Sequence, residues 1–212
     1  MTIKNFVFNP FQVNTYVLYD TTKECIIIDP ACSNAEEFEI LKNFISENGL
    51  KPVSFYNTHS HIDHLAGNAY IKDNYNINLC IHKAGLPFLE FASAQAASLG
   101  FTLEKVIQPD FFIEDGDTVN FGNASLKVIY TPGHADGSVC FYAAEDAFII
   151  VGDVLFQGSI GRTDLPTGHF ELLERSIKEK LYTLPDNVVV YTGHGPSTTI
   201  GNEKRHNPFV KA

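Results

Sequence analysis

Three histidines and an aspartate stand close together in the stretch THSHIDH, at His59, His61, Asp63 and His64. Clustered imidazoles repel one another once they are protonated, and they pack less well than aliphatic side chains. Imidazole nitrogens and carboxylate oxygens are ligands that zinc and similar ions accept. In an extended segment, His59 and His61 project to the same side and can chelate one ion. The cluster therefore predicts a metal site.

Three further donor residues follow predicted strands at glycine-containing turns, in TPGH, VGD and TGHG. Either histidine alone would more often be a buried, hydrogen-bonded residue than a ligand. Loops at one edge of an α/β sheet meet in space, however, and the first cluster also follows a strand. Seven donors exceed the needs of one tetrahedral ion but suit two ions that share a carboxylate. We therefore predict a centre of two divalent ions held by His59, His61, Asp63, His64, His134, Asp153 and His194.

The elements predicted around these residues alternate between strands and helices. Strands are predicted in IKNFVFN, VNTYVLY and CIIIDP, and a helix follows with Asn34 as its N-cap and Gly49 as its stop. PVSFYNT is a strand that ends at the histidine cluster, followed by a helix in LAGNAYIKDNYN and a strand in NLCIH. The second half adds strands in ASLKVIY, AFIIVGD and NVVVYT and a helix in GHFELLERSIKEKLYTL. Because no linker interrupts the chain, we expect one α/β domain over residues 1–212.

The composition excludes several classes of partner. The 212 residues are 44% hydrophobic and 19% charged, with a formal net charge of −10 and no run of lysine and arginine. Nucleic acids and anionic membrane surfaces select basic patches, so neither is an expected partner. The apolar runs are too short to cross a bilayer, the first residues do not resemble a secretory signal, and the four cysteines form no CxxC pair. We expect a cytoplasmic protein with reduced thiols.

The segment 84–115 is unusually aromatic. It contains Phe88, Phe91, Phe101, Phe111 and Phe112. One interpretation is a helix that packs its phenylalanines onto the core. The other is a hydrophobic lid or a dimer face, because exposed apolar patches usually mark contacts. The sequence leaves open whether the protein is a monomer or a homodimer.

The motifs THSHIDH, TPGHADGSVCF, VGD and GHGPST resemble the motif series of the metallo-β-lactamase-fold hydrolases over nearly the whole chain. GSIGRTDLPTGHF and NEKRHNPF are most similar to the small glyoxalase II-like branch, the hydroxyacylglutathione hydrolase-like proteins. The resemblance implies an αββα four-layer sandwich, in which two mixed sheets are flanked by helices and the metal site lies at one edge. It also implies which residues bind each ion. The first ion would be held by His59, His61 and His134, the second by Asp63, His64 and His194, and Asp153 would bridge them.

This chain departs from the resemblance in three places. Full-length glyoxalase II enzymes add a C-terminal helical region that contacts glutathione, whereas this sequence stops at Ala212. The thiol carrier is therefore left open. Ala31 stands where a glycine is usual after Asp29 and Pro30, and His169 stands where a glycine or an acidic residue is usual. These two changes are expected to affect only local turns.

The resemblance implies hydrolysis of a thioester such as S-D-lactoylglutathione. Water between two divalent ions, most readily zinc but also iron or manganese, loses a proton near neutral pH and becomes a nucleophile. Asp63 and Asp153 are the expected catalytic residues, with Asp63 as both ligand and proton acceptor. Arg162 would contact an anionic substrate or else form a bidentate pair with Asp164. Weaker candidates for substrate contact are Lys83, Lys204, Arg205 and His206, while His82 is interpreted as structural.

Other functions fit the same residues. A persulfide dioxygenase with a single iron resembles this chain in the same motifs, and lactone hydrolysis needs the same pair of metals. A true β-lactamase normally lacks a bridging aspartate like Asp153. A metal-stabilised binding module would have coordinatively saturated ions, whereas seven ligands with a shared carboxylate leave open positions on two ions. Hydrolysis of a thioester is the favoured prediction.

Overall fold

The computed structural model describes residues 1–100, 103 and 105–212. Six strands form the first sheet: β1 (Thr2–Phe8), β2 (Val13–Tyr19), β3 (Glu24–Ile28), β4 (Lys51–Tyr56), β5 (Asn78–Ile81) and β6 (Phe111–Phe112). Neighbours in the sheet follow the chain order. The pairs β1–β2 and β2–β3 are antiparallel, whereas the other three pairs are parallel, so the sheet is mixed.

The second sheet has the order β14-β13-β10-β9-β8-β7 and is also mixed, because β10 and β13 are parallel. Its strands are β7 (Thr118–Phe121), β8 (Ala124–Tyr130), β9 (Val139–Ala143), β10 (Phe148–Gly152), β13 (Val189–Thr192) and β14 (Thr198–Thr199). A separate hairpin consists of β11 (Leu155–Phe156) and β12 (Ser159–Ile160).

Helices cover the outer faces of the two sheets. They are α1 (Ala35–Glu47), α2 (Ile62–Leu65), α3 (Asn68–Tyr75), α4 (Leu86–Ser98), α5 (Phe170–Ser176), which continues into a π-helical turn (Ile177–Leu181), and α6 (Ile200–His206). One buried cluster joins the first sheet to α1, α3 and α4, and another joins the second sheet to α5 and α6. A third cluster lies between the sheets, where Tyr16 and Ile28 pack with Phe141 and Ile150. The predicted αββα sandwich is therefore confirmed.

Local signals explain why α1 forms where the sequence predicted it. The Asn34 side chain accepts a hydrogen bond from the backbone N–H of Glu37, and this satisfies a helix donor that has no partner within the helix. Phe38, Leu41 and Ile45 recur at helical spacing and are buried against the first sheet. Gly49, at φ +62, follows the helix and allows the chain to turn into β4.

The structure of the aromatic segment contradicts, for several residues, the interpretation that its phenylalanines pack onto the core. Helix α4 packs Leu89, Ala92 and Ala96 onto the core, whereas Phe91 is 67% exposed. Phe111 and Phe112, in the edge strand β6, are also exposed. The expectation that the phenylalanines pack onto the core is therefore wrong for these three. Leu89, Ala92 and Ala96 form the core-facing side of α4, which leaves the Phe91 ring outside. Phe101 lies outside the described residues.

The four cysteines are free thiols buried in the packed layers. Burial raises the pKa of Cys25 and of Cys140 to about 12, so both are protonated and unreactive at neutral pH. Among the residues that the structure describes, no helix combines the length and apolar character that crossing a bilayer requires.

Candidate metal centre

The predicted donor residues come from four places where a strand ends. His59 and His61 lie between β4 and α2, and Asp63 and His64 lie within α2. His134 follows β8, Asp153 follows β10 and His194 follows β13. These strand ends share one edge of the sandwich, and the structure brings all seven side chains together there. Asp63 and His64 are thus presented by a single helical turn, which lies just before the helix predicted in LAGNAYIKDNYN.

Three histidines, His59, His61 and His134, form the first group of donors, which we call the histidine trio. The Nδ1 atom of His61 lies 3.0 Å from Nε2 of His59 and 3.0 Å from Nε2 of His134. All three side chains are buried. Three ring nitrogens therefore converge on one point.

A second group, called the mixed group, contains Asp63, His64, Asp153 and His194. The Nε2 atom of His194 lies 3.4 Å from Oδ2 of Asp63 and 3.4 Å from Oδ2 of Asp153. The Nε2 atom of His64 lies 3.5 Å from Oδ1 of Asp153 and 3.8 Å from Oδ2 of Asp63. Asp153 also approaches the histidine trio, because its Oδ2 is 3.7 Å from Nε2 of His134. The Asp153 carboxylate therefore faces both groups.

Hydrogen bonds on the outer side of the rings fix which nitrogen faces inward. Nδ1 of His134 donates to the backbone oxygen of Arg162 at 2.8 Å, and Nδ1 of His194 donates to that of Phe11 at 2.8 Å. A carbonyl oxygen can only accept, so each Nδ1 carries the proton. When these rings are neutral, their Nε2 atoms present lone pairs to the site, which is the form that a metal binds.

Asp29 orients His64 in the same way, a role that was not predicted from the sequence. Its buried carboxylate accepts hydrogen bonds from Nδ1 of His64 at 2.9 Å and from the backbone N–H and the hydroxyl of Thr58, both at 2.7 Å. Because the Thr58 hydroxyl uses its proton on Asp29, its oxygen accepts from Nδ1 of His59, 3.1 Å away. Asp29 thus orients one histidine of each group. The aspartate at the end of a buried strand was the available signal.

The histidine trio and the mixed group also differ in the protonation state of their histidines. Burial lowers the pKa of His61 to about 4, with His134 adding to the effect, and burial also lowers the pKa values of His59 and His134. Burial alone would likewise lower the pKa of His194, but hydrogen bonds with Asp153 and Asp63 outweigh it and raise the pKa to about 10. The histidine trio is therefore neutral at pH 7, whereas His194 is protonated when no metal is bound.

Two buried atoms of the mixed group have no hydrogen-bond partner in the part of the chain that the structure describes. They are Nε2 of His64 and Oδ1 of Asp153. Buried polar atoms without partners are rare in folded proteins and point to a missing ligand. Tetrahedral zinc with bonds of about 2.1 Å holds its donors roughly 3.4 Å apart, close to the spacings found here. The residues present therefore fit divalent metal ions.

Comparison with known proteins agrees with this geometry. The family model of the metallo-beta-lactamase superfamily matches residues 8–194. The chain belongs to this superfamily. Hydroxyacylglutathione hydrolase GloC of Haemophilus influenzae is 35% identical over 214 residues, which cover 100% of this chain and 99% of that protein.

Two solved structures of the superfamily are similar over almost their whole length. The structure of BLEG-1 B3 metallo-beta-lactamase has a TM-score of 0.89 and 36% identity, and the match covers 100% of both chains. The structure of TTHA1623 in a di-iron-bound form has a TM-score of 0.87 and 34% identity, and the match covers 98% of this chain and 100% of that one. TTHA1623 therefore holds two iron ions in that structure.

Glycines allow the backbone to come close to the donors of the candidate metal centre. A Cβ atom on Gly193 would clash with the carboxylate of Asp153 and touch His64. Gly152, at φ +52, adopts a conformation that favours glycine, and a side chain there would clash with Thr58. These positions need glycine because Asp153 and Thr58 leave no room beside the backbone.

Two phenyl rings lie beside the outer faces of the donors. The ring centroid of Phe88 is 5.3 Å from that of His61, in an edge-to-face arrangement, and the ring centroid of Phe156 is 6.3 Å from that of His194. In the sequence, Phe88 stands out only as part of the aromatic segment, and no sequence signal points to Phe156. Helix α4 and the β11–β12 hairpin thus bring apolar groups to the site.

The predicted substrate contacts lie in different places. Arg162 is exposed and forms a bidentate pair with Asp164, with N···O distances of 2.8 and 2.7 Å, so the second interpretation of this arginine describes the structure. Lys204 and Arg205 pair with Asp186, which precedes β13 and so lies at the end of that strand away from the donors. The structure does not bring these two residues to the site.

His82 has a structural role, in agreement with its interpretation. Its ring stacks on that of Tyr130 with the centroids 4.2 Å apart, and its Nδ1 accepts a hydrogen bond from the backbone N–H of Ala84. Burial lowers the pKa of His82, so the ring is neutral at pH 7. His206 interacts with Asn202 one turn earlier in α6.

Proposed function

We propose that this chain is a binuclear metal-dependent hydrolase that cleaves thioesters. One observation carries the proposal: a neutral histidine trio and a charged mixed group lie side by side, and the Asp153 carboxylate faces both. The trio would hold the first ion. Asp63, His64 and His194 would hold the second, with Asp153 shared between them. Zinc is the proposed metal, because nitrogen and carboxylate donors at these spacings suit it.

Two divalent ions at this position supply Lewis acidity for a substrate carbonyl and a water molecule of lowered pKa. The residues of the chain orient the donors and handle the proton. Burial would raise the pKa of Asp63, but His64 and His194 lower it below its usual value. Asp63 is therefore an ionised carboxylate at neutral pH, and it is partly exposed. It can accept a proton from the attacking water at its carboxylate oxygens.

A thioester is the proposed substrate for two reasons. A thiolate leaves without a strong general acid, because free thiols have a pKa of about 8.5. The relative GloC is named a hydroxyacylglutathione hydrolase, and the match spans 99% of its length. A protein of that name therefore corresponds to this chain from end to end, which supports a glutathione thioester as the first substrate to test.

The test is hydrolysis of S-D-lactoylglutathione by the purified protein, with its metal content measured in the same sample. We expect turnover by the wild type and a loss of more than about a hundredfold in the Asp153→Ala variant, because that change removes the shared donor. The Asp110→Ala variant is the matched control. Asp110 pairs with Lys72 and the backbone of Leu79, so this change removes a carboxylate that takes no part in the centre.

β-Lactam hydrolysis is a second candidate, because BLEG-1 is described as a B3 metallo-beta-lactamase and is 36% identical. A chromogenic cephalosporin assayed on the same preparation separates the two. Turnover of the cephalosporin without turnover of the thioester would replace our proposal. Iron content together with oxygen consumption on a persulfide would replace it with a dioxygenase, and turnover of a lactone alone with a lactonase.

A further inference from the structure

The loop that joins β1 to β2, residues 9–12, contacts two segments that carry donors of the mixed group. We call it the hairpin loop. On one side it reaches the helical turn that carries Asp63, and on the other it reaches His194, which follows β13 of the second sheet. The loop therefore connects donors that the two sheets deliver separately.

Asn9 makes the contact on the Asp63 side. Its buried amide nitrogen donates hydrogen bonds to the backbone oxygens of Asp63 at 2.9 Å and of Ala31 at 3.0 Å. Helix α2 has only four residues. Its last carbonyl groups therefore find no N–H donor within the helix and need donors from other parts of the chain. The amide of Asn57 does the same for the carbonyl of His64, at 2.9 Å.

The other end of the Asn9 side chain shapes the loop itself. Its Oδ1 accepts a hydrogen bond from the backbone N–H of Phe11 at 2.9 Å, and its backbone oxygen accepts one from Gln12 at 3.0 Å. Asn9 adopts φ +57, a left-handed conformation that asparagine tolerates better than most residues. The Asn9 side chain thus binds the backbone of Asp63 through its amide nitrogen and closes the turn through its amide oxygen.

The turn closed by Asn9 holds His194. The backbone oxygen of Phe11 accepts the hydrogen bond from Nδ1 of His194, and Val13 pairs with His194 as an isolated β-bridge. The backbone N–H of Asn14 also donates to Gly193 at 2.7 Å. The histidine trio has its supports elsewhere, since His59 is held by Thr58 and His134 by the backbone of Arg162.

We propose that Asn9 is a positioning residue for the second ion: through the hairpin loop it sets Asp63 and His194 at the separation that this ion requires. The inference rests on the proposed centre of two ions and is independent of the substrate. According to this inference, the hairpin loop affects the binding of the second ion and leaves that of the first unchanged.

The experiment measures binding of Zn²⁺ alone to metal-free protein, in competition with a chromophoric chelator. The main variant is Asn9→Gly, because glycine keeps the left-handed backbone and removes the side-chain hydrogen bonds. Asn76→Gly is the matched control, since Asn76 adopts φ +50 at the end of α3. We expect two tight Zn²⁺ ions in the wild type and in Asn76→Gly. In Asn9→Gly, the first ion should bind as before and the second at least about tenfold more weakly.

Asn9→Asp is a second variant in case the first fails to fold. It keeps an acceptor for Phe11 and replaces the donor with an oxygen that faces the carbonyl of Asp63, so it should weaken the same ion. Wild-type affinity for the second ion in either folded variant would overturn the inference and leave the two-ion centre standing. Equal weakening of both ions would also overturn it. A wild type that binds one Zn²⁺ would remove the two-ion centre, and this inference with it.

Discussion

Asp29 and His64 form a hydrogen bond of 2.9 Å between two buried side chains that are 35 positions apart in the chain. The same carboxylate holds the backbone and the hydroxyl of Thr58, next to His59. The end of β3 is thereby tied to the segment that carries the first four donors. A residue that has no place among the donors thus controls the direction of two of them.

Replacing Asp29 by Asn should weaken metal binding without changing the donors. The carboxylate accepts three hydrogen bonds, and the amide replaces one of its oxygens with an N–H₂ group that cannot accept, so Thr58 or His64 must lose a partner. Loss of such an outer hydrogen bond typically costs about 10- to 100-fold in metal affinity. Chelator competition with Zn²⁺ measures it. The Asp110→Asn variant, which alters an exposed carboxylate bound to Lys72, should keep wild-type affinity. Unchanged affinity in Asp29→Asn would show that Thr58 and His64 hold their positions without Asp29.

The two ions should respond differently to pH. The pKa of His194 is raised to about 10 in the metal-free protein, so a metal must displace its proton at neutral pH. Burial lowers the pKa of His61 to about 4 and also lowers the pKa values of His59 and His134, so the trio is already deprotonated at neutral pH. Affinity for the second ion should therefore rise with pH, by about tenfold per unit for each proton displaced, whereas that for the first changes little.

Zn²⁺ titrations of metal-free protein at pH 6, 7 and 8 measure this difference. Proton release can be followed with an indicator dye in weak buffer, and it should accompany the second equivalent of Zn²⁺ rather than the first. Equal pH dependence for both ions would contradict the division of charge between the histidine trio and the mixed group.

Arg162 and Asp164 allow the two interpretations of this arginine to be separated. The structure shows the Arg162–Asp164 pair of the second interpretation, but an exposed ion pair contributes little to stability, so the guanidinium can leave Asp164 for an anionic substrate. We therefore predict that Arg162→Ala raises KM for S-D-lactoylglutathione about tenfold with kcat nearly unchanged, the signature of lost substrate binding. Asp164→Ala frees the guanidinium and should leave KM unchanged or lower it. Parallel losses of kcat in both variants would indicate a loop-bracing pair instead.

Ser60 offers a test of stability inside the donor cluster. Its hydroxyl is buried and has no hydrogen-bond partner in the described part of the chain. Ser138 is equally buried, but its hydroxyl donates to the backbone oxygen of Ala135 at 2.7 Å. Ser60→Ala should leave the metal-free protein as stable or up to about 1 kcal/mol more stable, whereas Ser138→Ala should cost about 1 to 3 kcal/mol. Urea unfolding of both variants measures these changes. A larger loss of stability in Ser60→Ala than in Ser138→Ala would show that the Ser60 hydroxyl does have a hydrogen-bond partner.

Much of the fold could be predicted from the sequence, because the signals were local. The N-cap Asn34 and the spacing of Phe38, Leu41 and Ile45 define α1 within a few residues. The strands that lead to the donors are apolar runs that end at turns, and the edge at which they end follows from the parallel pairing of β3, β4 and β5. The convergence of the seven donor residues follows from the same rule.

What the sequence did not predict depends on contacts between distant segments. In the sequence, Asp29 and Asn9 are polar residues of a kind common in turns. Only the packed structure shows that Asn9 reaches the carbonyl of Asp63 and that Asp29 reaches the ring of His64. The prediction that the phenylalanines of the aromatic segment pack onto the core was wrong for a related reason. Apolar content predicted burial, but Leu89, Ala92 and Ala96 form the buried side of α4, and Phe91 is exposed.

The donors of the candidate centre are spread unevenly along the chain. Four lie between residues 59 and 64, while the others come at residues 134, 153 and 194. During synthesis, an ion that met the growing chain early would find only the first four, without the partners that complete either group. The histidine trio is complete only after His134 has been made, and the mixed group only after β13 and His194 have been made. We therefore expect cells to load the finished protein from their labile metal pool, after translation has ended.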